Sequence, residues 1–488
     1  MKYRTLGEML DESCSTYPNN IAIVYNEKRL TYEQLKGAVK AFGNTLAKLG
    51  IKKGNKVAIM LPNIPEFIIS YFATVKLGAV AVTINTLSTP YELRHLLSDS
   101  DSRALITTPK TKKRFEEVRG DCPLCEYLVV TEGDTGDASI EEAVEAGPYK
   151  LEEIEISGDD PAVMIYTAGL TGKPLGAVLT HRNLSTQSLL LRNMIHANEH
   201  DRGLCLIPLF HSFGAVANML GTLKIGSSIV MMDQFKMDSI FKAIEEEGIT
   251  YIAAVPRLFL GMFIYEGADA YNLDSLRMCI TGGAAMPAEF FDTFEKKFGV
   301  RVLEGYGLTE ASPVCSFSRI DMVQKPGSIG IPIPEVEAKV VDEVGAELPS
   351  GQEGELVVRG PNVMEGYYKN DRATAEVIKE GWLYTGDLAR IDEEGYIFLT
   401  GLKKKRMIIT SGFNVYPREV EDVLSMHSAV VSAKVVGKPD MMRGETVKAI
   451  IIKKEGAEVD DKAIMKHCRT YLSPYKTPRT VEFVESID

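Results

Sequence analysis

The chain has 488 residues, of which 45% are hydrophobic and 25% are charged, and its formal net charge at pH 7 is −12. This is ordinary globular composition, and the length allows about three domains or one large subdivided domain. The negative charge argues against nucleic acid or an anionic membrane as a partner, because both require a basic protein surface. Any bound anion must therefore be met by local hydrogen-bond donors.

Seven cysteines are scattered along the chain, an odd number that fits a reducing compartment better than a disulfide framework. Cys122-Pro-Leu-Cys125 lacks a second pair of ligands, so we interpret it as structural rather than as a tetrahedral zinc site. The segment Met1-Lys-Tyr-Arg-Thr-Leu-Gly-Glu has no apolar stretch typical of a signal peptide. We therefore expect a cytoplasmic protein.

The most apolar region, residues 57–84, is interrupted by prolines and charged residues, so it does not predict a membrane span. Its pattern predicts a strand at 57–61, a helix at 65–77 and a strand at 79–83. The same alternation continues, with strands at 104–107, 162–165, 203–208, 227–231, 251–254, 277–281 and 301–303, and helices at 215–224, 237–246 and 287–298. Short runs rich in Val and Ile between helices indicate α/β architecture with parallel-rich sheets covered on both faces.

The pattern changes twice towards the C-terminus. Residues 327–400 read as short alternating strands split by Gly and Pro, which suggests a small antiparallel β-barrel. After the basic segment 402–406, helices at 417–424 and 460–471 alternate with strands at 430–436, 446–453 and 480–484. We therefore predict a large domain at 1–401, a hinge at 402–406 and a small, mobile α+β domain at 407–488.

The segment Tyr166-Thr-Ala-Gly-Leu-Thr-Gly-Lys-Pro-Leu-Gly176 follows a predicted strand and is dense in glycine and threonine. Glycine lets the backbone approach an anion closely, and threonine hydroxyls add donors, so this loop predicts phosphate binding. It does not match the Walker pattern, because Lys173 is followed by proline. Taken alone, it could equally be a surface loop without a ligand.

Two further motifs, Glu304-Gly-Tyr-Gly-Leu-Thr-Glu310 and Tyr384-Thr-Gly-Asp387, follow in order. With all three, the chain resembles the AMP-forming acyl-CoA synthetases of the adenylate-forming superfamily, from about Thr5 to the last residue. Its motifs look most like those of fatty-acid:CoA ligases. The resemblance implies a large domain of two parallel-rich sheets plus a β-barrel, followed by a mobile domain.

The resemblance also implies the reaction. A carboxylic acid attacks the α-phosphate of ATP in the presence of Mg²⁺, and coenzyme A then displaces AMP from the acyl-adenylate. The acid is expected to be fatty, alicyclic or aromatic, and the protein a monomer or homodimer. Two alternatives stay open: an enzyme that transfers the acyl group to a carrier-protein thiol, and a protein that binds an adenylate without turnover.

Site residues follow from the same resemblance. Glu310 is the expected Mg²⁺ ligand, and Thr171, Glu310, His211 and Lys405 are the expected catalytic residues. The nucleotide is expected to contact Thr167, Gly169, Thr171, Gly172, Lys173, Gly283, Ala284, Ala285, Glu304, Gly305, Tyr306, Gly307, Thr309, Asp387 and Lys403. The acyl pocket is expected to comprise His211, Phe213, Gly214, Gly282, Gly307 and Leu308, and the CoA site Ser411, Gly412, Phe413 and Lys438.

Several positions depart from the family pattern. Ala168, Leu170 and Leu175 stand where relatives usually have Ser, Thr and Lys, so we expect weaker retention of pyrophosphate, with Lys173 as a candidate substitute cation. Lys403 aligns with a ribose-binding arginine, and a lysine lacks the planar fork of that side chain.

The family usually continues with a loop whose last lysine serves adenylation, whereas the printed chain stops at Asp488. That loop is either naturally absent or omitted here, and we expect the second.

Overall fold

The computed structural model describes residues 5–133, 136–147, 151–168, 174–232, 235–402, 407–411, 413–440 and 443–486. We call the described part of 5–402 the N-terminal lobe and the described part of 407–486 the C-terminal lobe. Several predicted site residues lie outside the described residues: Gly169, Thr171, Gly172, Lys173, Lys403, Lys405 and Gly412.

The first large sheet of the N-terminal lobe has nine strands. Six central strands are parallel, and antiparallel strands flank them at both edges. In sheet order the strands are Ile331–Pro332, Val314–Phe317, Arg301–Gly307, Met278–Gly282, Tyr251–Ala254, Arg202–Cys205, Ser228–Met231, Ile21–Tyr25 and Lys28–Thr31. The parallel carboxyl ends meet at one edge, where open α/β sheets bind ligands.

The second large sheet has seven strands, five of them parallel. Its antiparallel edge, made by Gly366–Tyr367 and Pro174–Thr180, brings a late segment of the chain beside the predicted phosphate loop. In sheet order the strands are Gly366–Tyr367, Pro174–Thr180, Pro161–Ala168, Val80–Thr83, Lys56–Met60, Ser102–Thr107 and Tyr127–Val130.

The hydrophobic core forms layers on both faces of these sheets. Val57 and Ile59 belong to the cluster shared with the nine-stranded sheet, whereas Ala58 and Met60 belong to a separate cluster on the other face. This alternation follows from the two-residue repeat of a strand, and it explains the continuous apolar runs in the sequence. The helices of the lobe are Leu6–Thr16, Tyr32–Lys48, Pro65–Lys76, Pro90–Asp99, Pro109–Glu116, Ile140–Glu145, His181–Gln187, Leu190–Ile195, Gly221–Lys224, Met237–Glu247, Pro256–Ile264, Ala288–Phe298 and Asp371–Val377.

Helix starts follow the local sequence. Helix Pro90–Asp99 begins after Thr89, whose hydroxyl accepts from the Glu92 backbone N–H while the Glu92 carboxylate accepts from the Thr89 backbone N–H. This reciprocal capping satisfies two donors that a helix leaves free at its start. Proline at the first helical position supports the same start, since its fixed φ suits a helix.

Two antiparallel-rich sheets complete the fold. Residues 337–402 contribute Glu337–Val341, Gly354–Arg359, Ile378–Lys379, Trp382–Ile391 and Ile397–Leu402. The C-terminal lobe contributes Ile408–Thr410, Phe413–Val415, Val430–Asp440, Gly444–Lys453 and Thr480–Phe483, covered by helices Pro417–Ser425 and Asp461–Tyr471. The predicted α/β class with a C-terminal α+β part is confirmed.

Several predicted elements have different bounds in the structure, and two of these differences lie beside the large cavity. The strand predicted at 301–303 continues to Gly307, because Gly305, Tyr306 and Gly307 pair with the antiparallel strand Val314–Phe317. The helix predicted at 215–224 begins as a π-helix over Gly214–Leu220 before the α-helical turn Gly221–Lys224. No helix in the described part of the chain is long and apolar enough to cross a membrane.

Candidate active site

One cavity of about 1200 Å³ lies at the carboxyl ends of the parallel strands of the nine-stranded sheet. Its wall also includes Thr167 from the seven-stranded sheet, Asp387 from the antiparallel sheet and several residues of the C-terminal lobe between Met407 and Glu421. The wall is more apolar than polar, with a few polar side chains directed into it, as is typical of small-molecule sites. The cavity therefore brings together all three motifs that the sequence singled out.

Glu310 joins the first two motifs. Its Oε1 atom accepts hydrogen bonds from the Thr167 hydroxyl and the Tyr367 hydroxyl, both at 2.8 Å. Thr167 lies near the end of strand Pro161–Ala168, and Glu310 lies in the 3₁₀ turn that follows strand Arg301–Gly307. The described end of the predicted phosphate loop and the predicted metal ligand thus share one cleft.

Asp387 joins the third motif to the second. The Tyr306 hydroxyl donates a hydrogen bond to Asp387 Oδ2, and the Thr385 hydroxyl lies 3.1 Å from the Asp387 backbone nitrogen, which donates to it. Gly386 has a φ of +77°, which turns the strand so that Asp387 reaches the cavity wall. The aspartate is therefore positioned beside Tyr306, another predicted nucleotide contact.

His211 lies in a tight turn at the cavity wall. Its Nδ1 atom accepts from the Phe213 backbone N–H at 3.2 Å, and burial lowers the pKa of the imidazole to about 4. The ring is consequently neutral near pH 7. A Cβ atom on Gly214 would lie 2.3 Å from the Pro208 carbonyl oxygen, so this turn requires glycine.

A hydroxyl pair connects this turn to the second motif. Ser212 Oγ and Thr309 Oγ1 share a hydrogen bond of 3.3 Å. Thr309 lies directly before Glu310 in the 3₁₀ turn, so this hydrogen bond links the residue after His211 to the residue before Glu310. The structure thus connects the predicted acyl pocket to a predicted nucleotide contact.

Glu304 has a different environment from Glu310. It is paired in register with Thr281 on the neighbouring strand, accepts a hydrogen bond from the Met286 backbone N–H, and is 7% exposed. Burial raises the pKa of this carboxyl to about 7. The Thr281 hydroxyl beside it is buried, and no described residue hydrogen-bonds to it.

The remaining predicted residues of the N-terminal lobe mostly line the same cavity. Gly307 permits a close crossing of two strands, because a Cβ atom there would lie 1.9 Å from the Pro313 carbonyl oxygen. Gly214 supports the turn without lining the cavity. The predicted residues that do line it include Phe213, Gly282, Gly283, Ala284, Ala285, Gly305, Gly307 and Leu308.

The C-terminal lobe contributes Ser411 and Phe413 to the cavity wall. Arg257 of the N-terminal lobe donates to Ser411 Oγ at 2.8 Å, and the Phe413 ring stacks on Tyr475 with centroids 4.7 Å apart. Lys438 lies instead on strand Val430–Asp440 and does not line the cavity. Three of the four predicted CoA residues are described, and two of these three reach the site.

Sequence reasoning missed Tyr367 and a second cavity. Tyr367 reaches Glu310 only because strand Gly366–Tyr367 pairs with strand Pro174–Thr180, a long-range contact without a local signal. The second cavity, of about 710 Å³, lies between the lobes and includes three arginines in its wall: Arg114, Arg469 and Arg479. No acidic residue belongs to its described lining.

The comparisons with known proteins agree along the whole chain. The family described as AMP-binding enzyme matches residues 10–368, and the family described as AMP-binding enzyme C-terminal domain matches residues 419–488. A long-chain-fatty-acid–CoA ligase of Bacillus subtilis is 34% identical and covers 98% of this chain and 91% of its own length. A feruloyl-CoA synthase of Amycolatopsis is 32% identical and covers 100% and 96%, respectively.

A solved structure is similar over the same extent. The o-succinylbenzoate CoA synthetase of Bacillus subtilis, solved with a product analogue, has a TM-score of 0.87 and is 27% identical. The match covers 98% of this chain and 95% of that chain.

Proposed function

The chain belongs to the AMP-binding enzyme family, and we propose that it is an ATP-dependent acid:CoA ligase that works through an acyl-adenylate. The observation that carries the proposal is the position of Glu310, which accepts from both Thr167 and Tyr367 at the wall of the large cavity. A carboxylate held between the end of a phosphate-loop strand and a glycine-rich turn suits a metal-bound triphosphate.

The chemistry explains why these groups belong together. A free carboxylate is a poor electrophile, because displacement would expel oxide. Attack of the carboxylate oxygen on the α-phosphorus of ATP forms an acyl-adenylate and releases pyrophosphate. The CoA thiolate then attacks the acyl carbon, the bond to the phosphate oxygen breaks, and AMP leaves. Each step needs positioned donors for phosphate oxygens, which accumulate negative charge.

The oxygen ligand that this site offers fits Mg²⁺. Glu310 supplies one carboxylate, Mg²⁺ prefers oxygen ligands, and in nucleotide sites it takes most of them from phosphates and water. In the described residues no group of three acidic, cysteine or histidine side chains forms a closed metal site, which agrees with a metal held mainly by its nucleotide. Mg²⁺ would supply charge neutralisation on the phosphates there.

The other nucleotide contacts are assigned from the same wall. Asp387 accepts from the ribose hydroxyls, since a carboxylate can accept from two donors at once, and Tyr306 contacts the adenine ring while its hydroxyl orients Asp387. Thr309 donates to the α-phosphate. Thr167, Gly169, Thr171, Gly172 and Lys173 remain the proposed cradle for the outer phosphates.

We assign the thiol entrance to the interface between the lobes, supported by two features. Ser411 and Phe413 line the main cavity from the C-terminal lobe. The second cavity offers arginine side chains between the lobes, and arginine is well suited to phosphate groups. We propose that Arg114, Arg469 and Arg479 meet the phosphates of CoA while its pantetheine arm passes Phe413.

The acid is proposed to be a largely apolar one. The wall of the cavity that His211 lines also includes the apolar residues Leu206, Val255, Leu258 and Ile280, and burial keeps the histidine neutral near pH 7. Relatives named for long-chain fatty acids and for ferulate support both fatty and aromatic candidates.

The location and the hinge are proposed on other grounds. The seven buried, unpaired cysteines support a reducing, cytoplasmic location. The hinge is proposed at residues 402–406, between the two lobes.

A single assay tests the proposal. The protein is incubated with Mg-ATP, a panel of fatty and aromatic acids, and either CoA or a pantetheinylated carrier protein, and the products are separated by mass spectrometry. Acyl-CoA formation supports the ligase. Acyl-carrier formation alone would replace CoA by a protein acceptor, and a tightly held adenylate without either product would replace catalysis by binding. The reverse reaction, acyl-CoA with AMP and pyrophosphate, serves as an independent check.

A further inference from the structure

A buried cluster of three charged residues joins the two lobes. The Lys476 ammonium lies 2.7 Å from Glu92 Oε1 of the N-terminal lobe and 2.7 Å from Glu419 Oε1 of its own lobe. All three side chains are at most 12% exposed. Buried charges carry a desolvation cost, so removing one partner of a buried ion pair is strongly destabilising. Because this ion pair joins the two lobes, the free energy of the protein depends on their relative position.

Neutral contacts surround this cluster. The Ser473 hydroxyl donates to Glu92 Oε2 at 2.5 Å, and the Thr89 hydroxyl donates to the Tyr471 carbonyl at 2.7 Å. The Tyr91 and Tyr471 rings meet edge to face, with centroids 5.4 Å apart. Each contact joins the start of helix Pro90–Asp99 to residues 471–476.

The charges of the cluster do not balance. One ammonium faces two carboxylates, and Glu419 Oε2 is buried without a hydrogen-bond partner among the described residues. His95 of helix Pro90–Asp99 acts on Glu419 from the N-terminal lobe, and Lys476 and Glu92 are the other charged groups that act on it. A proton on Glu419 would remove the surplus charge.

We propose that Glu92, Lys476 and Glu419 form a proton-dependent latch that holds the lobes in the orientation seen here. In this orientation Ser411 and Phe413 line the main cavity, so the latched state is the one suited to thiol delivery. That catalytic consequence rests on the proposed function, whereas the latch itself concerns only lobe position. At pH values between the ordinary and the raised pKa of Glu419, closing the latch takes up a proton from solvent at this carboxyl.

The direction of the pH dependence follows from the two carboxylates. Burial raises the pKa of Glu419 above its usual range, so the latched state binds more protons and weakens as the pH rises through that raised value. Burial opposes ionisation of Glu92 too, but the Lys476 ammonium and the Ser473 hydroxyl lower its pKa. The latch is therefore strongest near the ordinary pKa of a glutamate, because it weakens below that value as Glu92 takes up a proton, and above it until the raised pKa of Glu419 is reached.

Lobe position can be measured directly. Spin labels are attached at Val323→Cys and Val431→Cys, which are 75% and 58% exposed in different lobes, whereas all seven native cysteines are buried. Electron–electron double resonance then gives the distribution of distances between the two spin labels. We expect one narrow distribution at mildly acidic pH and a growing second population as the pH rises.

Two variants test the assignment. Glu92→Gln keeps a capping side chain but loses the charge, and the ratio of latched to open protein should fall by about tenfold to a hundredfold. Glu419→Gln removes the surplus carboxylate and should keep the latched population at high pH. The control Glu33→Gln, an exposed glutamate in the first turn of helix Tyr32–Lys48, should match the wild type.

The latch is wrong if Glu92→Gln leaves the distance distribution unchanged, or if the wild-type distribution does not respond to pH. Should Glu92→Gln fail to fold by circular dichroism, the pH response of Glu419→Gln decides alone. Transfer from synthetic acyl-adenylate to CoA is measured in parallel and should slow in Glu92→Gln. If even the wild type forms no acyl-CoA, the proposed function fails while the distance data still judge the latch.

Discussion

Glu304 and Glu310 stand at the two ends of one seven-residue motif and line one cavity, yet their surroundings differ. Glu310 accepts from two hydroxyl groups, which come from distant parts of the chain. Glu304 accepts from one backbone N–H, beside a buried threonine hydroxyl that has no described partner, and burial raises its pKa to about 7. One carboxyl accepts from two hydroxyl groups, and the other is largely desolvated by burial.

The contrast shows that position along the strand, rather than residue type, decides the surroundings of each carboxyl group in this motif. Glu304 lies on the part of the strand that pairs with Thr281, where it is almost completely buried at the cavity wall. Glu310 lies beyond the end of the strand, where hydroxyls of two other segments converge. Side-chain identity alone does not reveal this difference, because both residues are glutamates.

The largest expected effect comes from removing the charge of Glu310. Glu310→Gln should slow adenylation by about 10²–10³, the magnitude for losing one electrostatic contact to a transition state. Exchange of labelled pyrophosphate into ATP measures this step, with Glu289→Gln, an exposed helical glutamate, as the control. A variant that exchanges pyrophosphate at the wild-type rate would remove Glu310 from the reaction.

At the buried end of the motif, Glu304→Gln should stabilise the protein in alkaline solution. The folded state raises the pKa of Glu304 from 4.5 to about 7, so folding holds a proton that the unfolded chain loses, and stability falls as the pH rises between these values. The variant should gain about 3 kcal/mol at pH 8 and under about 1 kcal/mol at pH 5. Urea unfolding at both pH values measures the gain, and an equal gain at both would contradict the assignment.

Asp387 tests whether a second carboxylate of the cavity wall, which also accepts from a hydroxyl group, binds the nucleotide. Asp387→Asn should raise the KM for ATP by about tenfold to a hundredfold, since hydrogen bonds to a charged group contribute ~1.5–3 kcal/mol. Tyr306→Phe removes the hydroxyl that donates to Asp387 but keeps the carboxylate, and should raise KM less. The ribose assignment fails if AMP binds both variants, measured by calorimetry, as tightly as the wild type.

The smallest expected effect concerns His211. Because burial lowers its pKa to about 4, the imidazole does not titrate between pH 6 and pH 8. The pH profile of kcat/KM for the acid should therefore keep its shape in His211→Gln, whatever the change in absolute rate. Disappearance of a limb in that interval would show that the histidine transfers a proton.

Sequence reasoning predicted what depends on local order. Strand 251–254 and the start of helix Met237–Glu247 agree with the structure, because alternating burial and helical spacing are written in neighbouring residues. The motif residues Glu310, Tyr306 and Asp387 were also found, since glycine-rich turns leave a local signature. Their assigned roles stay predictions.

What sequence reasoning missed depends on contacts between distant segments. Tyr367 becomes a partner of Glu310 through the pairing of strand Gly366–Tyr367 with strand Pro174–Thr180. Lys476 pairs with Glu92, which lies nearly four hundred positions earlier in the chain, and neither residue carries a local sign of the contact. The π-helix at Gly214–Leu220 has the same apolar composition as an ordinary buried helix.

The register of the strands on either side of residues 169–173 has a consequence for substitutions in the predicted phosphate loop. Ala168 pairs with Pro174, and Thr167 pairs with Leu175, so the antiparallel pairing reaches both edges of that interval. This pairing and the hydrogen bond to Glu310 hold Thr167 from outside the interval. If residues 169–173 hold the outer phosphates as proposed, substitutions there should change the retention of pyrophosphate while Thr167 keeps its position.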